Sequence, residues 1–523
     1  MLTLKNVRRT SPRKRVLVVN CYFDDSRRPL RRTTKIPQSV GPIYLAGAFE
    51  RDLCDVRCYN EQASGPLEDE HLLGWPDMLV LTGLTNSFDR MLHLTAYVRS
   101  KNPAAIVAAG GPAIRMLPVL AKKFFDYACV GDIEEMAEVI RQAFGPEYLA
   151  EQTLPRYDLA YWLGHIGYVE STRYCNFHCS FCTLTGEGRP YQKYNLEYIR
   201  RQILASGKRK RMLFIDNNFY GNDRDHFRAR LDLINEMRAA GQFQSWGALV
   251  TNDFYHRDEN LQSAHDSGCR LLFSGVESFD TKWLREFSKL HNTTAPQVDL
   301  ISKCLNAGII FYYGLIVDFS SRSVAEIRRE LDFIVDTPEI TLPCYTSATI
   351  PMLGTPFFFD CLAQQKILPC TKLRDMDGTT LTLKPKDPIP EVVRFLDDLQ
   401  CFRGFRKRLL KHSVAFAAKY RHKLNSLHLS IAAGAGLLLS AQTLSTSVSG
   451  FGWAKRQIPR TYVSTTEPLD HMYTPAFRVD SRFEGYFKPT MVTDKNGQLH
   501  EHLVDSGVLK ANARDKVRSA TAG

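Results

Sequence analysis

Between Arg15 and Ile350 short apolar runs alternate with longer amphipathic stretches in two successive series, and this order fits parallel strands joined by helical crossovers. The first run, RVLVVNCY from Arg15, is continuously apolar, as in a strand covered on both faces. Further strands are expected at Val56–Tyr59, Met78–Thr82, Ile106–Ala109 and Tyr127–Val130, with helices at Gly41–Glu50, Asp89–Ser100 and Ile133–Phe144. That series predicts a doubly wound α/β domain over residues 14–145, behind a basic tail at 1–13. Ligands of such sheets bind beyond the strand carboxyl ends, here Asn20–Asp24, Thr82–Ser87, Gly110–Pro112 and Gly131–Asp132. A linker at 146–165, containing Pro146 and Pro155, leads to a second series over 166–385. Its strands are expected at Tyr168–Ser171, Met212–Asp216, Ser245–Val250, Leu271–Gly275, Ile309–Val317 and Tyr345–Ile350. Helices are expected at Leu196–Ala205, Asp225–Ala240, Glu259–Asp266, Ala295–Ala307 and Val324–Val335. Six strand–helix repeats suit a barrel-like parallel sheet, open or closed, with reactive groups at its carboxyl ends. Residues 386–523 read as a mainly helical or irregular C-terminal region with one strong helix.

Charge narrows the function. The chain carries +12, but residues 1–36 hold +9 and residues 399–466 hold +11 with no acid, so the remainder is mildly acidic. A nucleic-acid enzyme spreads positive charge over a binding face, and none is expected here. The start, MLTLKNVRRTSPRKR, lacks the apolar core of a secretory signal, and Ile431–Leu439 is shorter than the roughly 20 residues that span a bilayer. A cytoplasmic location follows as an expectation, and there 13 cysteines point to metal chemistry, catalysis or burial instead of a disulfide framework.

Directly after the first strand of the second series comes STRYCNFHCSFC, which sets Cys175, Cys179 and Cys182 in a C-x3-C-x2-C array. Three thiolates on one short loop can hold three corners of a [4Fe–4S] cube and leave its fourth iron open to a chelating substrate. The same spacing also allows a zinc knuckle completed by His178 or a distant cysteine.

These residues resemble the radical S-adenosylmethionine (SAM) superfamily, in which an aromatic residue precedes the third cysteine, as Phe181 does here. The resemblance implies that SAM chelates the open iron, that Phe181 packs near its adenine, and that an electron cleaves SAM to a 5'-deoxyadenosyl radical. LFIDNNFYGN, with Asp216, Asn217 and Asn218, resembles the region facing the SAM amino group. In FSGVES, Gly275, Glu277 and Ser278 resemble the segment beside the SAM ribose and carboxylate, and Gly314 of YYGLIVDF resembles the glycine against adenine. IPMLGTP resembles the sixth-strand turn. An electron donor such as flavodoxin or ferredoxin is implied as well.

Upstream, VGPIYLAGAFE, TGLTNSF, AAGGP and YACVGDIEE together resemble the cobalamin-binding domain that precedes the barrel in one large subgroup. The fold implied is a Rossmann-like cobalamin-binding domain followed by a partial (β/α)6 barrel of the TIM type. Thr82, Gly83, Thr85, Asn86, Ser87, Gly110, Gly111, Pro112 and Gly131 are the cobalamin-binding residues this implies. There is no Asp-x-His-x-x-Gly motif, so no histidine of that motif ligates cobalt from below, and the acidic turn reads Gly131-Asp132-Ile133-Glu134. The chemistry implied is C-methylation at an unactivated carbon of a natural product or lipid. The alternatives are a cyclisation, oxidation or rearrangement without methyl transfer and, outside enzymology, a metal-binding or redox-sensing protein.

Other features have plainer readings. Arg403 to Lys423 forms a basic amphipathic helix with Phe405, Leu409, Phe416 and Tyr420 on one stripe, which could face lipid, with Ile431–Leu439 behind it, or pack on the barrel. Peripheral membrane contact would run through 403–445. Cys344, Cys361 and Cys370 are too irregularly spaced for an auxiliary cluster to be favoured over buried thiols, and Cys54 and Cys58 read as structural. Tyr312, Tyr313 and Tyr345 stand near possible substrate space but read as packing.

Overall fold

The structure is a computed structural model that describes residues 13–22, 39–369, 371–400, 404–434, 461, 463–464, 491–493 and 499–501. The N-terminal tail, Asp24, Arg403, Cys370 and the end of the Ile431–Leu439 run lie outside the described residues. Two units divide the chain, with the changeover between Trp162 and Leu163.

The first unit is built on five parallel strands, β1 (Lys14–Asn20), β2 (Cys54–Asn60), β3 (Met78–Thr82), β4 (Ile106–Gly110) and β5 (Tyr127–Cys129), in the order β2-β1-β3-β4-β5. Val16 to Val19 are fully buried, as the unbroken apolar run requires of a strand covered on both faces. Helices α1 (Gly41–Ala46) and α2 (Phe88–Lys101) are among its crossovers, and α3 (Met136–Ala143) follows its last strand. Two expectations are corrected. The first helix ends at Ala46, because a Cβ on Gly47 would lie 1.9 Å from the Leu154 carbonyl oxygen and the chain must turn there. The third begins as a 3-10 turn, Ile133–Glu135, before becoming α-helical.

In the second unit six parallel strands follow one another in chain order: β6 (Ile166–Val169), β7 (Arg211–Phe214), β8 (Ser245–Val250), β9 (Cys269–Glu277), β10 (Ile310–Val317) and β11 (Tyr345–Ala348). No ladder joins β6 to β11, so the sheet is an open half-barrel. Along β9 burial alternates: Leu272, Ser274 and Val276 pack under the helices, while Leu271, Phe273, Gly275 and Glu277 line the less buried face. The helical layer comprises α4 (Thr183–Glu187), α5 (Leu196–Ala205), α6 (Arg224–Ala239), α7 (Asp258–Asp266), α8 (Thr281–Glu286), α9 (Gln297–Asn306), α10 (Val324–Asp336) and α11 (Pro356–Ala363).

Two more helices, α12 (Ile389–Gln400) and α13 (Arg406–Tyr420), extend this layer. Val392, Phe395 and Leu396 of α12 join the core of the half-barrel, so residues beyond 385 are more than one helix on an irregular tail. The stripe on α13 that could have faced lipid is also claimed by this core: Phe405, Leu409, Phe416 and Tyr420 are at most 5% exposed. Arg408 pairs with Asp332 and, at 2.7 Å, with Asp336, and Lys419 pairs with Glu339 at 2.9 Å, which fixes α13 beside α10.

Candidate functional site

The three cysteines occupy the loop between β6 and α4, and that loop is anchored on several sides. Tyr174, immediately before Cys175, is buried with φ +64°, a left-handed conformation that turns the chain sharply into the loop. Asn218 Nδ2 beyond β7 donates to Asn176 Oδ1 at 2.7 Å. Ser180 N donates to the Phe287 carbonyl at 3.1 Å, and Phe357 N, at the start of α11, donates to the Ser180 carbonyl at 3.1 Å. Cys182 caps α4 without a side-chain hydrogen bond, and its carbonyl accepts from Thr185 and Gly186. A Cβ on Gly186 would lie 2.7 Å from the Gly354 carbonyl oxygen, so the IPMLGTP turn sits directly against α4.

Burial pushes all three thiols above their ordinary range, Cys175 to about 11. Such thiols stay protonated until a metal displaces the proton. Among the described residues no three His, Cys, Asp or Glu side chains converge as ligands of a single ion would, and His178 is exposed. Three cysteines on one loop, with no fourth ligand beside them among the described residues, match the donor set of a cube with one corner left open.

Lys289, which belongs to no sequence motif, stands beside this loop. It is 6% exposed, its Nζ donates to Glu277 Oε1 at 3.0 Å, and it lies 5.6 Å from the Phe181 ring centroid. Burial would lower its pKa, but the Glu277 carboxylate, with Cys179 and Cys182 adding to it when ionised, outweighs that and holds the ammonium above its ordinary value. Its only signal in the sequence is an isolated cation between Phe287 and Leu290. Glu277 follows a break in the β9–β10 register and has φ +61°, a costly conformation for a residue with a Cβ, of the kind that collects at functional sites. A Cβ on Gly275 would lie 2.4 Å from Glu277 Oε1 and 2.9 Å from Lys289 Nζ, so that glycine keeps room for the pair.

Phe181 packs 6.2 Å from Trp283 and 5.8 Å from Phe287, centroid to centroid. These rings, with Ile316 of β10, Ala348 of β11 and Thr349, Ile350 and Met352 beyond it, line a cavity of about 110 Å³. Gly314 lies under Tyr345, whose ring would be 2.3 Å from a Cβ there and is stacked at 6.1 Å on Phe273. Tyr312 is half-buried and Tyr345 about half-exposed, whereas Tyr313 is buried and donates to the Thr341 carbonyl at 2.8 Å, a packing role.

The other expected SAM contacts separate by burial. Asn217 is exposed. Asn218 is fully buried, and its Oδ1 has no hydrogen-bond partner, an acceptor left open beside the cysteine loop. Asp216 is 1% exposed, accepts from Ser171 N at 2.7 Å and from Ser171 Oγ, and pairs with the buried Arg230, so its contacts in this structure are internal. Ser278 is likewise fully buried, donates to Glu330 Oε1 at 2.5 Å and accepts from Arg322 at 3.1 Å. Cys361 sits in the apolar cluster under Phe181, whereas Cys344 is exposed and donates to the Tyr313 carbonyl at 3.1 Å, so it is not the buried thiol expected.

In the first unit the strand order reverses between β1 and β3, the switch point at which such sheets take ligands. Asn20 Nδ2 donates to Asn60 Oδ1 at 3.0 Å, Tyr22 N donates to Glu61, and the buried Arg90–Glu61 pair at 2.6 Å holds this edge. A Cβ on Gly111, whose φ is +114°, would lie 2.5 Å from the Gly83 carbonyl oxygen, so the turns after β3 and β4 meet through two glycines. Tyr22 and Leu84 are 40% and 69% exposed there. Thr82, Gly83, Asn86, Gly110, Gly111, Pro112 and Gly131 are half-buried, whereas Thr85 and Ser87 are buried. Arg115 bridges the acidic turn, donating to the Gly131 carbonyl at 3.2 Å and to Asp132 at 2.6 Å.

Residues 169–334 match the model of the Radical SAM superfamily. The chain is 24% identical over 299 residues to a hopanoid C-2 methylase of Rhodopseudomonas palustris, covering 53% of this chain and 55% of that protein. It is 27% identical over 198 residues to a bacteriochlorophyllide d C-12(1)-methyltransferase of Chlorobaculum tepidum, covering 36% and 41%. It thus spans about half the length of these curated relatives. Among solved structures it resembles the cobalamin-dependent S-adenosylmethionine radical enzyme OxsB, with TM-score 0.54, 14% identity and coverage of 79% and 71%. It also resembles the radical S-adenosylmethionine methyltransferase TsrM of Kitasatospora setae, with TM-score 0.51, 12% identity and coverage of 84% and 99%. At those identities the likeness is one of fold.

Proposed function

We propose that this chain, a member of the radical SAM superfamily, is a cobalamin-dependent enzyme that methylates an unactivated carbon of an apolar small molecule or lipid. The observation that carries the reading is the cysteine loop anchored at the carboxyl mouth of the half-barrel beside Lys289, Glu277 and the unpartnered Asn218 oxygen. Cys175, Cys179 and Cys182 would hold a [4Fe–4S] cluster, Asn218 Oδ1 would accept from the SAM ammonium, and Lys289 would donate to its carboxylate. Phe181, Trp283 and Ile316 would enclose the adenine in the cavity they line. The cluster and SAM would supply the radical, and cobalamin, which Gly83, Gly110 and Gly111 at the switch point of the first unit would hold, would supply the methyl group.

The residues around the chemistry orient and exclude. Leu213, Leu249, Leu271, Phe273 and Tyr312 are half-buried and Tyr345 more exposed, and the strand alternation puts these apolar side chains on the face away from the helices. Such a surface favours a ring-bearing apolar substrate and keeps water from a reactive radical. An external one-electron donor, flavodoxin or ferredoxin, completes the reading.

Anaerobic reconstitution followed by turnover tests it. About four irons per chain, 5'-deoxyadenosine release, and loss of both on Cys→Ala at 175, 179 or 182 are expected. Cobalamin in the visible spectrum, and label passing from methyl-labelled SAM into product, are expected as well. Full cluster loading without SAM cleavage under a strong reductant would overturn the enzymatic reading, and SAM cleavage without label transfer would overturn methylation.

A further inference from the structure

The inner stripe of α13 is buried in the half-barrel, yet the helix has a second stripe on its opposite side. Lys407, Leu410, Lys411, Val414, Ala418 and Arg421 are all exposed, and the spacing 0, 3, 4, 7, 11, 14 places them within about 100° of one another on a helix of 3.6 residues per turn. Leu410 and Val414 are 48% and 61% exposed. Among the described residues none of Lys407, Lys411 and Arg421 pairs with a carboxylate, while Arg408 and Lys419 on the flanks are taken by Asp332, Asp336 and Glu339. No acidic residue occurs between 399 and 466. The next helical stretch, 426–434, exposes Leu427 and Ile431, again four residues apart, at 51% and 39%.

We propose that the outward face of α13 docks on an anionic lipid surface, with Lys407, Lys411 and Arg421 meeting headgroups and Leu410 and Val414 entering between them. Charge complementarity selects an anionic partner, because the face is basic with no carboxylate in its own segment to neutralise it. The interleaved exposed Leu and Val select a lipid interface over a folded acidic protein, since they gain only where an apolar layer lies just beneath the charges. Contact of this kind is peripheral, and among the described residues no helix is long and apolar enough to cross a membrane.

The full-length protein, with its iron content checked, would be sedimented with phosphatidylcholine vesicles and with vesicles containing about one-third phosphatidylglycerol. Binding is expected only to the anionic vesicles and is expected to weaken steeply as salt rises from low to about 0.5 M. A basic residue at an anionic surface contributes about fivefold in partition, so K407E/K411E should lower the partition coefficient at least about 30-fold. L410S/V414S, which leaves the charge intact, should also weaken binding and leave iron content and SAM cleavage unchanged. Equal binding to neutral vesicles, no binding to either, or wild-type binding by both double variants would overturn the proposal. If vesicle binding is absent while K407E/K411E slows reduction by flavodoxin, the face serves an acidic protein and the lipid assignment is wrong.

Discussion

Lys289 is the residue whose role turns most sharply on geometry. Its ammonium has three donors, and Glu277 takes one. A hydrogen bond to a charged group contributes about 1.5–3 kcal/mol, so Lys289→Met should weaken SAM binding by about 10- to 100-fold, read by equilibrium dialysis, at unchanged iron content. Unaltered affinity would make Lys289 a counter-ion of Glu277 alone. Asp216 and Asn218, two positions apart on one segment, should behave oppositely. Asp216→Asn breaks the fully buried pair with Arg230 and should cost about 3–5 kcal/mol, seen as a lower urea midpoint, with the SAM affinity of the folded protein unchanged. Asn218→Ala should lower that affinity with a much smaller stability change. The sequence could nominate the Asp-Asn-Asn segment, because its place after the second strand is a matter of order. Which member faces the site depends on Ser171 and Arg230, 45 residues before and 14 after Asp216, and no local pattern carries that information.

Elements read well where a single period governs them. Met78–Thr82, Ser245–Val250 and Leu196–Ala205 have the expected bounds because apolar run or amphipathic stripe and turn residues agree at both ends. The helix Pro356–Ala363 was not expected, although Thr355 accepts from Phe358 N as its cap and Pro356 takes the first position, a pairing visible in the sequence. Its start holds the cysteine loop. Gly186→Ala should therefore act on the loop through α4: the added Cβ would meet backbone at Gly354, which cannot rotate away, and iron per reconstituted chain should fall well below four, as a colorimetric iron assay would show. On α10 the capping box of Ser323 and Glu326 holds the Glu326 carboxyl at about 2, mainly through the Ser323 backbone and side-chain hydrogen bonds. Ser323→Ala should lower stability by about 1 kcal/mol at pH 7. Because the folded pKa lies below the unfolded one, the carboxylate's share of the cap is fully present above about pH 4.5 and is lost as pH falls towards 2, so the difference in urea midpoint between wild type and variant should narrow over that interval.

For the whole molecule, the order of two α/β series was legible because parallel sheets impose it, and a basic C-terminal helix was legible from its charge. What covers that helix was not: an apolar stripe looks the same whether it meets lipid or a neighbouring sheet, and only Val335, Leu396 and their neighbours in the core decide it. The two units also predict separable failures. Gly111→Ala puts a side chain at φ +114° and 2.5 Å from the Gly83 carbonyl oxygen, so cobalamin bound per chain should fall while the iron content of the second unit stays at its wild-type level, both measured on one sample by absorbance.

Among the described residues the half-barrel ends in two edges without a strand partner, β6 and β11, each four residues long. An edge that short presents only about two outward N–H and C=O pairs, too few to template a strand from another chain. On β11 even these are diminished, since Ala348 N already donates to the Gly378 carbonyl at 2.6 Å. The gap that leaves the sheet unclosed thus creates little tendency to polymerise, and a concentrated solution of this protein should stay free of fibrils without any closing strand.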